Sequence, residues 1–317
     1  MIINAHGLKK TFTTRSRKGV QTVEAVRGVD LEVKAGEIYG VLGPNGAGKT
    51  TTIRMLATLI RPDSGSAMIA GHDLLKQPGE IRRRLGYVSQ AGGVEEQISA
   101  RAQIVFAAKL YGVPDPVKAA GEMLDRFELA EIADRPGRTL SGGQKRRVAI
   151  ALGLVHTPPL LFLDEPTTGL DPQNRANLWD RIKQLRDQGT SVLLSTHYLE
   201  EADTLCDRLA IVDHGVVVAD GTPSALKREV SGDVVTLRLD EPGRAAATLA
   251  PMARDTRVDD DVLRVYVDDG EHTLPVLLRT LEEQRLGITS ISLDRATLDD
   301  VFLAKTGRSL RDTGAAA

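Results

Sequence analysis

Residues 43–50 read Gly-Pro-Asn-Gly-Ala-Gly-Lys-Thr and decide the fold of this chain. They fit the pattern G-x-x-x-x-G-K-S/T, in which glycines let backbone N–H groups converge on one anion. The apolar run 38–42 before them predicts a buried strand, and residues 50–57 after them predict a helix. A strand, a glycine-rich loop and a helix in this order predict a phosphate-binding loop, because the helix adds its positive end and its unpaired first-turn N–H groups. The alternative is an ordinary glycine-rich turn before a helix.

Two side chains of this loop suit the binding of a nucleoside triphosphate. The Lys49 ammonium would place a positive charge on the β- and γ-phosphates, and the Thr50 hydroxyl would ligate Mg²⁺. The phosphate-binding set predicted from the sequence is Gly43, Pro44, Asn45, Gly46, Ala47, Gly48, Lys49, Thr50 and Thr51.

Composition limits the possible functions. The chain has 317 residues, of which 41% are apolar, enough for one large domain or two ordinary ones. Lys and Arg number 41 against 43 Asp and Glu, and aromatic residues make up 3%, so no nucleic-acid partner is expected. The one cysteine, Cys206, excludes an internal disulfide and suits a reducing cytosol. No secretory leader is expected, and no apolar stretch approaches the ~18 residues that cross a bilayer, so a membrane role would need a partner chain.

An apolar run that ends in two acidic residues is the second chemical feature. Residues 160–165 read Leu-Leu-Phe-Leu-Asp-Glu, and this continuous hydrophobicity predicts a central parallel strand covered on both faces. Ligands of open parallel sheets bind at the carboxyl ends of the strands. Asp164 is therefore a candidate to hold Mg²⁺ through water, and Glu165 is a candidate to polarise a water. The alternative is that the two acids begin a loop or cap a helix.

Two more polar residues stand at the ends of predicted strands. Gln90 follows the strand predicted over 85–89, and His197 follows the strand predicted over 190–196. An amide in this place can ligate Mg²⁺ or hydrogen-bond an attacking water. The alternatives are a polar strand end and a structural histidine. The strand-end position that both share with the two acids favours a common site.

Residues 95–155 change to a helical pattern without strand signals, which predicts a helical subdomain inserted in the core. Leu-Ser-Gly-Gly-Gln occupies 140–144, just before an apolar helix. A serine and two glycines at a helix start predict a second anion-binding terminus, and the alternative is a plain N-cap on a buried helix. The candidate residues are Ser141, Gly142, Gly143 and Gln144.

The N-terminal residues 2–33 alternate in short apolar runs, as antiparallel strands do, with a hairpin loop predicted at 15–19. Phe12 on the first strand can stack on a purine base, and an aromatic residue facing the core is an equal alternative. Residues 169–172 predict a turn into a helix over 175–188.

Residues 226–310 predict a separate small α+β domain. Its elements follow the order β-α-β-β-α-β, which suggests a ferredoxin-like sandwich. It carries no catalytic constellation, so a docking or dimer-clasp role and a passive structural cap both stay open. The tail 311–317 is expected to be disordered.

In these motifs and in their order, residues 2–225 resemble the ATPase subunits of ABC transporters. The resemblance implies a role for each motif. These roles are, in chain order, an adenine-stacking aromatic at Phe12, Walker A at 43–50, the Q-loop at Gln90, the signature at 140–144, Walker B at 160–164, the catalytic glutamate at Glu165, the D-loop aspartate at Asp171 and the switch histidine at His197.

The resemblance also implies a fold: an α/β P-loop NTPase cassette over 1–225, with a RecA-like mixed sheet core, an N-terminal antiparallel β subdomain and the helical subdomain. The implied ligands are ATP and Mg²⁺. Two cassettes, expected to be copies of this chain, would pair head to tail, and Ser141 and Gly143 would cover the γ-phosphate bound by the opposite chain. Catalysis would rest on Glu165, His197, Gln90 and Lys49.

Within this family the chain resembles the daunorubicin-resistance exporters, because of its single short cassette and its tail over 291–303. The implied function is ATP hydrolysis that powers export of a drug, an antibiotic or another hydrophobic compound by a separate transmembrane permease. The chain would then work at the cytoplasmic face of the membrane. The alternatives are a soluble ABC ATPase that acts on ribosomes or DNA and a non-catalytic nucleotide sensor.

Overall fold

The computed structural model describes residues 1–16, 19–230, 232–308 and 310. The chain forms two compact units, Met1–Asp220 and Gly221–Ala317. The tail 311–317 and the middle of the predicted hairpin loop at 17 and 18 lie outside the described residues.

The described residues form fourteen strands and eleven α-helices. The strands are β1 (Ile3–Ser16), β2 (Gly19–Val33), β3 (Ile38–Leu42), β4 (Ser64–Ile69), β5 (His72–Asp73), β6 (Leu85–Val88), β7 (Leu160–Asp164), β8 (Ser191–Thr196), β9 (Arg208–Asp213), β10 (Val216–Gly221), β11 (Asp233–Leu239), β12 (Asp255–Asp259), β13 (Val262–Val267) and β14 (Ile288–Asp294). The helices are α1 (Lys49–Leu56), α2 (Pro78–Arg83), α3 (Ala100–Leu110), α4 (Pro116–Arg126), α5 (Gly142–Leu154), α6 (Pro172–Asp187), α7 (Leu199–Leu205), α8 (Pro223–Val230), α9 (Pro242–Leu249), α10 (Gly270–Glu283) and α11 (Leu298–Thr306). Among these described helices, none has the length and hydrophobicity that a bilayer span requires.

The central sheet has the strand order β10-β9-β3-β8-β7-β6. β3 pairs in parallel with β8 and β9, and β7 pairs in parallel with β6 and β8. Every residue of β3, β7 and β8 is buried, as expected for apolar strands with both faces covered. Because the strands are parallel, the carboxyl ends of β3, β6, β7 and β8 lie at one edge of the sheet.

The N-terminal strands form a second, antiparallel sheet with the order β2-β1-β4-β5. β1 and β2 pair from Ile3 with Val33 to Ser16 with Gly19. The predicted loop over 15–19 is therefore too long, because a β-ladder is made by backbone groups and continues through polar residues that break the apolar pattern. One cluster of buried side chains joins this sheet to the central one, and its members include Ile3, Leu31, Val41, Ile53, Phe162 and Leu193.

The stretch 95–155 contains α3, α4 and α5, with two short 3₁₀ turns at Ala130–Ile132 and Gly137–Thr139. Each helix begins at a side-chain cap, from Ser99, Asp115 and Ser141 respectively, which satisfies an N–H group that the helix itself cannot pair. The predicted helical subdomain is therefore present, and its last helix begins at the Leu-Ser-Gly-Gly-Gln stretch.

The second unit contains an antiparallel sheet with the order β12-β13-β11-β14. Its elements follow the chain as β11, α9, β12, β13, α10, β14, which is the predicted ferredoxin-like order. Side chains alternate along β11: Val235, Leu237 and Leu239 are buried in a core shared with α9 and α10. The remaining helices of this unit, α8 and α11, pack against each other.

Candidate functional site

The loop between β3 and α1 is built on glycines that no other residue could replace without strain. Gly48 is the N-cap of α1 and has φ +100°, and a Cβ there would lie 2.3 Å from the Ala25 carbonyl oxygen. A Cβ on Gly43 would lie 2.2 Å from the Val212 carbonyl oxygen. The loop therefore lies directly against two neighbouring backbone segments, with the N-terminus of α1 at its end.

Lys49 is the first residue of α1, directly after this loop, and is 4% exposed. Its Nζ donates hydrogen bonds to the carbonyl oxygens of Gly43 at 2.8 Å and Pro44 at 3.0 Å, and lies 3.4 Å from Glu165 Oε1. Burial lowers the pKa of Lys49, while the negative charges of Glu165 and Asp164 oppose this effect. A buried cation thus stands where the motif predicts a phosphate-binding charge.

Asp164, at the carboxyl end of β7, is fully buried. Its Oδ1 accepts hydrogen bonds from Thr50 Oγ1 at 2.9 Å and from Ser195 Oγ at 2.6 Å. Its Oδ2 is buried without a hydrogen-bond partner among the described residues. A buried carboxylate oxygen is costly unless a donor or a cation reaches it, so this atom fits a cation ligand.

Glu165 follows Asp164 in a left-handed conformation, with φ +45°. Its N–H is held by Ser195 Oγ at 3.0 Å. Its Oε2 accepts hydrogen bonds from Gln90 Nε2 at 3.1 Å and Thr168 Oγ1 at 3.2 Å, and His197 Nδ1 lies 3.2 Å away. Gln90 and His197, which follow β6 and β8, therefore both contact the carboxylate of Glu165, which follows β7.

The same contacts determine the protonation of this carboxylate. Burial alone would raise the pKa of Glu165, but the close contact with His197 and the positive charge of Lys49 outweigh it and lower the pKa to about 2. At neutral pH Glu165 is therefore an anion that accepts hydrogen bonds, and it can orient a water.

The residues at the start of α5 form a capping box. The Ser141 N–H donates to Gln144 Oε1 at 2.9 Å, and Ser141 Oγ accepts from the Gln144 N–H at 3.3 Å. The plain N-cap alternative thus describes the local structure, while Ser141 and Gly142 are exposed and present the helix terminus to solvent.

Gly143 and Asp171 are joined through Asn174 on α6. A Cβ on Gly143 would lie 2.8 Å from Asn174 Oδ1, so the amide packs directly against the glycine. The Asn174 N–H and Nδ2 donate to Asp171 at 2.9 and 2.5 Å. The backbone hydrogen bond from Asn174 lowers the pKa of the exposed Asp171 carboxyl.

The structure thus separates the predicted site residues into three groups. Lys49, Thr50, Gln90, Asp164, Glu165 and His197 are linked by the contacts above, beside the loop 43–48 and Thr51. In the described part of the chain, the side-chain hydrogen bonds of Ser141 and Asp171 stay within their own helix starts and do not reach this cluster. Phe12 on β1 is 39% exposed, with Lys10 Nζ 5.7 Å from its ring centroid, so the core-facing alternative is wrong.

Two residues of this region are not among those predicted from the sequence. Ser195 Oγ donates to Asp164 and accepts from the Glu165 N–H, and the available signal was a hydroxyl one residue before the end of its strand, after three apolar residues. Arg146 is buried on α5 and donates to the carbonyl oxygens of Ser89 and Asp164. The available signal was a cation near the start of an apolar helix, but Lys145 and Arg147 on either side carry the same charge and do not distinguish it.

Comparison with known families gives two matches. Residues 26–168 match the family model described as ABC transporter. Residues 221–306 match the one described as ATP-binding protein DrrA1-3-like, C-terminal domain.

Several curated proteins match over nearly the whole chain. The daunorubicin/doxorubicin resistance ATP-binding protein DrrA of Streptomyces peucetius is 45% identical over 298 residues, covering 91% of this chain and 89% of that protein. The doxorubicin resistance ATP-binding protein DrrA of Mycobacterium tuberculosis is 38% identical over 316 residues, covering 96% and 94%. The Nod factor export ATP-binding protein I of Ralstonia nicotianae is 36% identical over 314 residues, covering 98% and 95%.

Solved structures match the cassette part of the chain. An ATP-binding cassette seen as a dimer in a post-hydrolysis state, bound to ADP and Pi, matches with a TM-score of 0.63 at 26% identity, covering 69% of this chain and 98% of that one. An ATP-binding subunit of an ABC transporter matches with a TM-score of 0.63 at 30% identity, covering 72% and 93%.

Proposed function

The chain belongs to the ATP-binding subunits of ABC transporters, and on this premise we propose that it hydrolyses Mg²⁺–ATP as a dimer of cassettes and powers export through a separate membrane subunit. The observation that carries the proposal is the Glu165 carboxylate, which is held among Lys49, Gln90 and His197 at 3.4 Å or less.

In this proposal the loop 43–48 and Lys49 hold the phosphates, and Phe12 lies against the adenine. Thr50 and Asp164 hold the Mg²⁺, with Gln90 at its side, and the unpaired Asp164 Oδ2 supports this assignment. Mg²⁺ often takes only one or two protein ligands and completes its shell with phosphates and water. When bound, the ion would neutralise charge on the transferred phosphoryl group.

Glu165 is assigned the role of general base. It would accept the proton of the attacking water, a contribution of about 10² to 10⁴ in rate for such groups. Gln90 and His197 would position the water and the γ-phosphate, because Gln90 donates to Glu165 Oε2 and His197 Nδ1 lies 3.2 Å from the same oxygen. Lys49 and the loop N–H groups would stabilise the charge that develops on the phosphate.

Ser141 and Gly143 are assigned to the nucleotide of the opposite chain. Two features support this: the start of α5 is an exposed helix N-terminus suited to an anion, and its hydrogen bonds do not lead to the chain's own Lys49. A related cassette has been solved as a dimer. Two ATP molecules would then lie between two copies of the chain.

A size measurement tests this scheme. We expect Glu165→Gln to bind ATP and to accumulate as a dimer in size-exclusion chromatography with Mg²⁺–ATP, because the nucleotide that joins the two copies is no longer hydrolysed. Glu200→Gln is the matched control, since Glu200 is an exposed acid on α7 whose contact is with Arg175, 4.0 Å away. A monomer at all ATP concentrations would contradict the scheme.

The membrane subunit is proposed to bind beside Gln90. A groove of 720 Å³ there is lined by Tyr87, Ile98, Phe106, Leu110, Tyr111 and Leu152, and the large side chains of α3 in it are exposed. An exposed apolar groove of this kind fits an apolar segment of a partner protein. Its walls include Ser89 and Gly92 on either side of Gln90, so binding there would reach the catalytic site. The chain would then lie at the cytoplasmic face of the membrane.

The cargo is proposed to be a drug, an antibiotic or another hydrophobic compound, because the similar proteins are named for daunorubicin and doxorubicin resistance. ATP-dependent uptake of doxorubicin into inverted membrane vesicles that carry the chain and its permease would test this. Lys49→Ala provides the control without nucleotide binding. Uptake that does not differ between the two preparations would contradict the choice of cargo.

A further inference from the structure

Arg146 connects two catalytic segments through one side chain. It is 7% exposed, and its Nη1 donates to the Ser89 carbonyl oxygen at 2.7 Å. Its Nη2 donates to the Asp164 carbonyl oxygen at 3.1 Å. These carbonyls belong to the peptide groups that lead directly into Gln90 and Glu165. The Arg146 guanidinium therefore binds the peptide groups that precede Gln90 and Glu165, and these two residues contact each other in the site.

The same side chain is carried by the helix that begins at Ser141. The capping box and the hydrogen bond from the Lys145 N–H to the Ser141 carbonyl oxygen, 2.8 Å long, hold the first turn of α5 together. Arg146 lies about 7 Å along the axis from Ser141, at a rise of ~1.5 Å per residue. A displacement of the Ser141 end therefore moves Arg146 as part of one rigid turn.

Burying the Arg146 cation has an electrostatic cost. Burial lowers the pKa of Arg146 to about 10, although the charges of Glu201 and Asp164 favour the charged form. Its Nε is buried without a hydrogen-bond partner among the described residues. Its two hydrogen bonds to backbone carbonyl oxygens offset part of this cost, and they fix two peptide groups of the site at the same time.

We propose that Arg146 is a positioning residue that makes hydrolysis in one ATP site depend on occupancy of the other. The inference rests on the proposed function, because it needs Ser141 to contact the nucleotide of the opposite chain. When that nucleotide fixes the start of α5, Arg146 sets the peptide groups before Gln90 and Glu165 in the chain's own site. A misplacement of ~1 Å in such groups changes the rate by about 10²-fold, so a small shift of the helix is sufficient.

The test compares two neighbouring arginines on α5. Arg147 is the matched control, because its Nη1 donates to the Phe127 carbonyl oxygen at 3.2 Å and lies 3.6 Å from Glu128, away from the site. We expect Arg146→Gln to lower kcat by about 10²-fold with little change in KM for ATP. We also expect its Hill coefficient to fall to about 1 from a higher value in the unmodified chain. Arg147→Gln should retain both values.

Two further measurements separate positioning from stability. Arg146→Lys should recover part of kcat, because an ammonium keeps the charge but lacks the planar fork that serves two acceptors. Combined with Glu165→Gln, Arg146→Gln should still give the Mg²⁺–ATP dimer, since Arg146 acts on the site and not on binding. Circular dichroism melting of each variant shows whether the fold is retained.

Equal kcat and Hill coefficient in Arg146→Gln and Arg147→Gln would overturn the inference. Unfolding of both Arg146→Gln and Arg146→Lys at the assay temperature would also overturn it, because the side chain would then act on stability. An unmodified chain that neither hydrolyses ATP nor dimerises would overturn the proposed function itself, which distinguishes the two failures.

Discussion

Replacing Glu165 by glutamine should destabilise the cassette in a way that depends on pH. The Glu165 carboxylate lies 3.4 Å from the Lys49 ammonium and 3.2 Å from His197. Glutamine has nearly the same shape but cannot carry the negative charge. The variant therefore removes the electrostatic attraction and leaves the buried Lys49 with only carbonyl partners.

The magnitude follows from the lowered pKa of Glu165. This value is about 2, against an ordinary value of 4.5. At ~1.4 kcal/mol per pKa unit, the difference corresponds to about 3 kcal/mol of folding free energy at pH 7. Because the pKa is lower in the folded chain, this stabilisation is complete above about pH 5 and is lost as the pH falls towards 2. About half of it should remain at pH 3.

The assay is urea unfolding followed by the fluorescence of Trp179, the single tryptophan of the chain. Trp179 is 8% exposed and lies in the first unit, so its signal reports on that unit. We expect Glu165→Gln to unfold with a free energy about 3 kcal/mol lower than the unmodified chain at pH 7, and about 1.5 kcal/mol lower at pH 3. Other acidic groups with lowered pKa values, such as Asp171, occur in both chains and cancel in the difference.

A difference that stays constant between pH 7 and pH 3 would refute this reasoning, because it would show that glutamine disturbs packing and not charge. A variant as stable as the unmodified chain at pH 7 would also refute it. The control is Glu200→Gln, whose side chain is 73% exposed, and it should not change the unfolding free energy measurably at either pH.

Two further predictions concern the phosphate-binding loop. Lys49→Ala should lose ATP affinity, because the substitution removes the buried ammonium next to the phosphate-binding loop. Tight ATP binding by this variant in a calorimeter would contradict the loop assignment. Gly48→Ala should destabilise the cassette by several kcal/mol, since a Cβ there would lie 2.3 Å from the Ala25 carbonyl oxygen. Gly46 has φ +81° and nothing within 4 Å of a Cβ, so Gly46→Ala should cost about 1 kcal/mol. Unfolding followed by Trp179 fluorescence checks the pair, and equal costs would contradict the steric argument.

The buried strands were the elements that the sequence predicted best. Residues 38–42 form β3 as predicted, and the predicted runs at 160–165 and 190–196 differ from β7 and β8 by one residue at one end. Such strands are covered on both faces, so each of them is marked in the sequence by a continuous apolar run.

Element ends that depend on capping were less accurate. The helix predicted over 175–188 begins at Pro172, because Asp171 accepts the N–H of Asn174 and proline suits the first helical position. Likewise, α10 begins at Gly270, where Asp269 accepts the His272 N–H. In both cases the polar first turn does not follow the apolar spacing that marks the rest of the helix.

The order of the amino acids alone indicates which residues could bind phosphate and which strands would carry acids at their ends, because glycine spacing and continuous apolar runs are local properties of the chain. The contacts between these residues follow from the folded chain: Ser195 bonds Asp164, Gln90 bonds Glu165, and Arg146 bonds the carbonyl oxygens that precede Gln90 and Glu165. These contacts depend on the strand order, which places β8 between β3 and β7. Residues 30 or more positions apart come together through that order, and no periodicity along the chain records it.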